Sequence, residues 1–251
     1  MLVQIRVTIF YFRQIFWPRD LCADYGPFSI RNFDFTASLV MLIVIVVAQF
    51  LGAIRNRVFA LGASFFWLAL LPVSNLIPIF RPMADRFLYL PLCGVALMLA
   101  ALASRFSWTA KSAAIPVSIG LGAATALGAI TFKREAVWRD ELALWSDTTA
   151  RNPFSSTAAD NLGWALVDRD RAREAVQNFQ RAIQLSPAMA DAFAGLALAY
   201  EMQGRTAEAD AAYKEAMRLN PRLAEPDAMV RSLTCTQTQV DKLRPIAERN
   251  R

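Results

Sequence analysis

Four stretches without a charged side chain, 35–54, 58–80, 87–104 and 112–132, constrain this chain more than any other feature of it. Each is about 18 to 23 residues long, and a helix needs roughly 20 to cross the hydrocarbon core of a bilayer. Lipid offers no water to a backbone amide, so such runs are stable in a membrane as helices. The expectation is four transmembrane helices at those positions. Four is even, which puts both chain ends on one side of the membrane.

The remainder reads differently. Residues 1–132 carry ten Lys/Arg and four Asp/Glu, whereas 133–251 carry seventeen of each, so the whole excess of +6 lies in the apolar half. A nucleic-acid binder concentrates its cations on a soluble face; here they flank apolar runs, which points to lipid headgroups and orientation and to no nucleic acid. With no histidine and three scattered cysteines (Cys22, Cys93, Cys235), a zinc site, a catalytic triad and a histidine base are excluded. Cys93 reads as a small buried side chain inside an apolar run, and a Cys22–Cys235 disulfide would require both outside the cytosol.

Arg55, Arg57, Arg105 and Lys111 fill the two shortest connections without an acid, which is how cytoplasmic loops look. The ends of the chain and the soluble half are therefore expected outside the cytosol, in a periplasm or lumen. Residues 1–34 work against this, because exporting Arg6, Arg13, Arg19 and Arg31 ahead of any span is unfavourable. Either the topology is inverted or further spans normally precede Met1; the second reading is preferred. MLVQIRVTIFYFRQIFW is no signal peptide. It suits a helix ended by Pro18 that lies in the interface or forms a packing surface for other helices.

Within the second stretch, Pro72, Asn75 and Pro78 interrupt the helix and mark a candidate site, a plain kink being the alternative. Gly120, Ala124 and Gly128 in the fourth form a face of small residues suited to packing against a neighbouring helix.

The soluble half repeats itself. An offset of 34 residues aligns Leu162 with Leu196, Gly163 with Ala197, Leu166 with Tyr200, Ala175 with Ala209, Phe179 with Tyr213, Ala182 with Ala216 and Pro187 with Pro221. That is the period and pattern of tetratricopeptide repeats (TPRs). The expected organisation is a linker helix resembling half a repeat at 133–155, built on Trp145 and Pro153, repeats at 156–189 and 190–223, and a degenerate capping tail at 224–251. First helices of stacked repeats line a groove, so Asp160, Trp164, Asp168, Leu198 and Glu201 are the candidate contacts for a protein or peptide. The fold class is all-α, a multispan membrane region followed by a helical-repeat domain.

Two segments outside the repeats resemble a known family. RVTIFYFRQIFWPRDLCADYGPF and LLPVSNLIPIFRPMADRFLYLPLCG are similar to the C-terminal part of the TPR-carrying membrane O-mannosyltransferase-like proteins. Asp85, Arg86, Leu88, Tyr89, Leu90, Pro91 and Gly94 fit the second motif, and Leu92 stands where the family usually has serine. The resemblance implies a multispan glycosyltransferase that moves a sugar, typically mannose, from a polyprenyl-phosphate carrier to a Ser or Thr hydroxyl on the outer face. No other cofactor is implied, and no metal. Such chemistry needs a carboxylate for the hydroxyl proton and a cation for the leaving phosphate. Asp85, Arg86, Tyr89, Asn75 and Asp24 become the lipid-phosphate and substrate candidates, Asp20 and Asp34 being the only other acids in the membrane half. The acidic loop that follows the first span in that family has no counterpart, so the resemblance implies a truncated member, inactive alone. A membrane-anchored TPR scaffold without enzymatic activity is the alternative.

Overall fold

The computed structural model describes residues 2–18, 21–25, 34–73, 83–106, 109–225 and 236–250, and every regular element among them is a helix. Contacts divide the chain into two compact units, Met1–Leu21 with Pro27–Arg134, and Cys22–Gly26 with Glu135–Arg251.

The first unit holds α1 (Leu2–Phe16), α2 (Phe35–Ala53), α3 (Arg57–Leu70), α4 (Tyr89–Ala103) and most of α5 (Ala110–Trp138). Side chains set the starts of two of these helices. Asp34 accepts a hydrogen bond from the Ala37 amide at 2.8 Å, and Asn56 accepts from that of Phe59 at 3.0 Å, which satisfies orphan first-turn donors. Three helical runs, Phe35–Ala53, Asp85–Ala103 and Ala114–Trp138, are long and apolar enough to cross a membrane. The second expected span contains α3, a helix of 14 residues, followed by a short 3-10 turn, Leu71–Val73, that holds Pro72. Asn75 and Pro78 lie outside the described residues.

The amino-terminal helix α1 is a packing element. Val7, Ile9, Phe10, Tyr11 and Phe12 are buried, and the Phe12 ring lies 5.2 Å from that of Phe66 and 6.2 Å from that of Trp67 on α3. Helices α3 and α4 approach backbone to backbone. A Cβ on Gly62 would stand 2.7 Å from the Gly94 carbonyl oxygen, and one on Gly94 would press on the Gly62 carbonyl and the Phe66 amide. Only glycine at both positions allows that distance, the small-residue logic of helix association in lipid. The small face at Gly120 and Gly128, where packing was expected, has nothing within 4 Å among the described residues.

The second unit is built from α6 (Glu141–Arg151), α7 (Ser156–Val167), α8 (Ala172–Leu185), α9 (Ala190–Glu201), α10 (Thr206–Leu219) and α11 (Gln237–Arg249). Pairs α7/α8 and α9/α10 start and stop at positions 34 apart, with first helices of 12 residues and second helices of 14. The turn inside each pair needs a left-handed residue at the same repeat position: Gly204 (φ 73°) fills it in one, Asp170 (φ 55°) in the other. At the centre of the core, Phe179 is fully buried and its ring is slotted between α7 and α9. A Cβ on Gly163 would meet that ring at 2.6 Å, and one on Gly195 would collide with it from the other side. The equivalent aromatic, Tyr213, is also fully buried and donates its hydroxyl proton to the Leu223 carbonyl at 2.8 Å. The carboxyl-terminal helix α11 opens on a capping box formed by Thr236 and Gln239.

Candidate functional site

Two places gather the candidate residues. In the first unit, extended backbone at Ala84 leads into a 3-10 turn, Asp85–Leu88, that runs directly into α4. Met83, Leu88 and Pro91 are buried and hold the turn against its neighbours. Arg86 and Tyr89 point away from that core. Arg86 is exposed, its guanidinium 5.3 Å from the centre of the Phe87 ring, and Tyr89 is 74% exposed. Asp85 is half-buried beside them. A cation and a phenol next to a carboxylate at the end of an apolar helix are thus presented together by one turn.

The residue that clamps this turn is absent from the candidates. Tyr11, 1% exposed on α1, accepts a hydrogen bond from the Ala84 amide at 3.2 Å. Burial pushes its hydroxyl up to about 12, so the phenol stays neutral. The sequence clue was the aromatic run IFYF, which reads as apolar surface unless its polar tip is assigned a partner.

Asn75 and Asp20 lie outside the described residues. Asp34 is the α2 cap described above. Asp24 belongs to the second unit, where its carboxylate accepts from the Ser155 hydroxyl at 2.5 Å. Its carbonyl accepts from the Asn152 side-chain amide at 3.1 Å and from the Cys22 thiol at 3.3 Å. Ser155 caps α7 in turn, accepting from the Ala158 amide at 2.9 Å. The Asp24 charge therefore sits by the positive end of a helix, where an anion is stabilised. Cys22 is buried, whereas Cys93, expected to be buried, is exposed; Cys235 lies outside the described residues.

A cleft of about 490 Å³ opens between α2 and α3, with Phe50, Ala60, Ala63 and Leu68 in its walls. Across it the Trp67 indole donates to the Gln49 side-chain carbonyl at 2.7 Å.

In the second unit the five groove candidates fall on α7 and α9 or just beyond them. Asp160, Trp164 and Leu198 are buried, at 1, 4 and 2% exposure. Asp168 and Glu201 are engaged by α11. The Gln239 amide donates to Asp168 at 2.8 Å, and the Arg249 guanidinium donates to Glu201 at 2.8 and 3.1 Å. Arg249 also reaches Asp210 on α10 at 2.8 Å, as does Asn250. Asp160 is the exception. Its Oδ1 has no hydrogen-bond partner, and burial, reinforced by Asp191, holds its carboxyl well above the usual carboxylate range.

These features define a helical-repeat protein with apolar helices of membrane-spanning length. The family description "TPR repeat" matches residues 163–204, and "Tetratricopeptide repeat" matches 190–223. A protein O-mannosyl-transferase of Caenorhabditis elegans is 31% identical over 178 residues, covering 68% of this chain and 25% of that protein. Protein O-mannosyl-transferase Tmtc2 of Drosophila melanogaster is 36% identical over 139 residues, covering 53% of this chain and 14% of its own length. Protein O-mannosyl-transferase TMTC3 of Mus musculus is 24% identical over 226 residues, covering 82% of this chain and 24% of its own. The solved structure of MamA superposes with a TM-score of 0.33 at 22% identity, over 43% of this chain and 64% of MamA. The chain therefore carries TPRs and is homologous over much of its length to protein O-mannosyl-transferases, and it spans about a quarter or less of each of these three relatives.

Proposed function

We propose that this chain is a membrane-embedded portion of a glycosyltransferase of the O-mannosyltransferase type, taking mannose from a polyprenyl-phosphate carrier to Ser or Thr, with TPRs that engage a protein. One observation carries the reading. An alignment of 178 residues is longer than the whole soluble half, so the homology extends into the membrane half and does not rest on the repeats alone. The Asp85–Tyr89 turn supplies suitable chemistry. Arg86 would neutralise the carrier phosphate as its bond to the sugar breaks, and Asp85 would take the acceptor's hydroxyl proton. The apolar cleft between α2 and α3 suits a prenyl chain. The TPR half is placed outside the cytosol, an orientation supported by Arg55, Arg57, Arg105 and Lys111 in the short loops.

Photocrosslinking of a polyprenyl-phosphate mannose to the full chain in nanodiscs tests the carrier site. Labelling that falls about tenfold in Arg86→Ala is expected; equal labelling of the two proteins contradicts it. The carboxylates Asp160, Asp168 and Glu201 on or just beyond α7 and α9 favour a second reading, a membrane-anchored scaffold without enzymatic activity. A wild-type chain that takes no carrier but retains a protein partner would establish that reading instead. Orientation is tested by labelling Cys235 in a chain with Cys22 and Cys93 changed to Ser. Modification only by a reagent confined to the cytosol overturns the placement.

A further inference from the structure

We propose that the inner face of the repeat domain receives a basic amphipathic helix from a partner, and that α11 is the chain's built-in competitor for the same place. The proposal rests on the reading of the repeats as a protein-binding surface, and it names the partner's chemistry and the regulation of that surface.

The receiving face is acidic by composition. Helices α7 and α9 carry Asp160, Asp191 and Glu201 and no lysine or arginine. Asp168 follows α7 directly, and Asp210, on the second helix α10, shares Arg249 with Glu201. What now covers part of this face shows the kind of ligand it accepts. Helix α11 buries Val240, Leu243, Ile246 and Ala247 completely, an apolar stripe at helical spacing, and places Arg249 between two carboxylates. An apolar stripe bordered by donors is thus the recognition pattern, realised within the chain itself.

Helix α11 is an incomplete ligand. It supplies donors to Asp168, Glu201 and Asp210, yet Asp160 remains buried with an unpartnered oxygen, close enough to Asp191 to feel its charge. Asp160 lies within α7 and Asp168 just beyond its end, about two turns further along the helix. A lone buried carboxyl is costly, and a charge-assisted bond from a lysine or arginine removes that cost. A partner helix that displaces α11 and carries one more base than α11 offers gains an interaction that α11 lacks. Release of α11 and capture of the partner are then alternatives of a single equilibrium.

The test uses the full chain in nanodiscs and fluorescent peptides of residues 236–250. One peptide has Asp241 and Glu248 changed to Lys; the other has every Lys and Arg changed to Gln. The basic peptide should bind the double variant Gln239→Ala/Arg249→Ala about tenfold more tightly than wild type, with α11 amides exchanging faster in the variant. Asp160→Asn added to that variant should weaken the basic peptide about fivefold without lowering the Tm. Equal binding of the two peptides would overturn the basic-helix assignment, and unchanged exchange protection of α11 would overturn its role as competitor. If α11 is released and neither peptide binds, the protein-binding reading of the repeats fails with it.

Discussion

Helices α7 to α10 and helix α5 solve opposite problems. The repeat helices fold against one another until Ala175, Phe179, Ala182, Ala197, Tyr213 and Ala216 are wholly enclosed. In α5 the apolar stretch from Ala114 to Trp138 has no buried residue at all. Sequence apolarity alone does not distinguish these outcomes; α5 differs in being long and apolar enough to cross a membrane, where the solvent would be lipid. Water expels apolar surface and drives burial, whereas lipid tails match it and give no such drive. In the first unit, α3 and α4 meet at the Gly62/Gly94 crossing, and the Trp67–Gln49 bond bridges α2 and α3.

Breaking the water-driven core should have the largest effect. Phe179→Ala empties the slot between Gly163 and Gly195, and a loss of about 3 to 5 kcal/mol is expected in denaturant unfolding followed by circular dichroism. In the first unit, Gly62→Val forces α3 from α4 and should cost about 1 to 3 kcal/mol in detergent unfolding. The same change at Gly120 should stay within about 0.5 kcal/mol. If the two glycines respond alike, the contrast drawn between them is wrong.

Asp160→Asn should stabilise the repeats by about 1 to 2 kcal/mol at neutral pH. Its sign follows from linkage. The folded state holds the proton at pH values where the unfolded chain has released it, so the native protein loses stability as pH rises from the ordinary carboxylate range through the raised value. Asparagine removes that slope, which a series of melting curves from acid to neutral pH would show. A small effect, about 0.6 kcal/mol, is also expected for Trp67→Phe, which removes the indole bond to Gln49.

Much of this could be read directly. The 34-residue offset reappears without a shift in the helix bounds, because each repeat packs on its neighbours in the same way and its small and aromatic positions recur with it. Arg86 and Tyr89 emerge exposed on the turn that the motif ADRFLYLP marks. Other placements were not legible. Asp24 reads as a substrate candidate, and nothing local indicates that Ser155, 131 positions away, takes its carboxylate. Tyr11 looked like one more aromatic in an apolar run until the Ala84 amide met it. Gly195 lies outside the aligned consensus positions, yet the Phe179 ring requires it.

Composition, periodicity and spacing determined the all-helical class, the apolar helices and the two repeats, since each follows from hydrophobic pattern along a single segment. Tertiary structure alone decided which small residues touch, Gly62 with Gly94 while Gly120 stays bare, and that the expected binding residues Asp168 and Glu201 are held by the chain's own last helix. Those outcomes depend on which segments meet across long chain separations, and a local pattern carries no information about its distant partner.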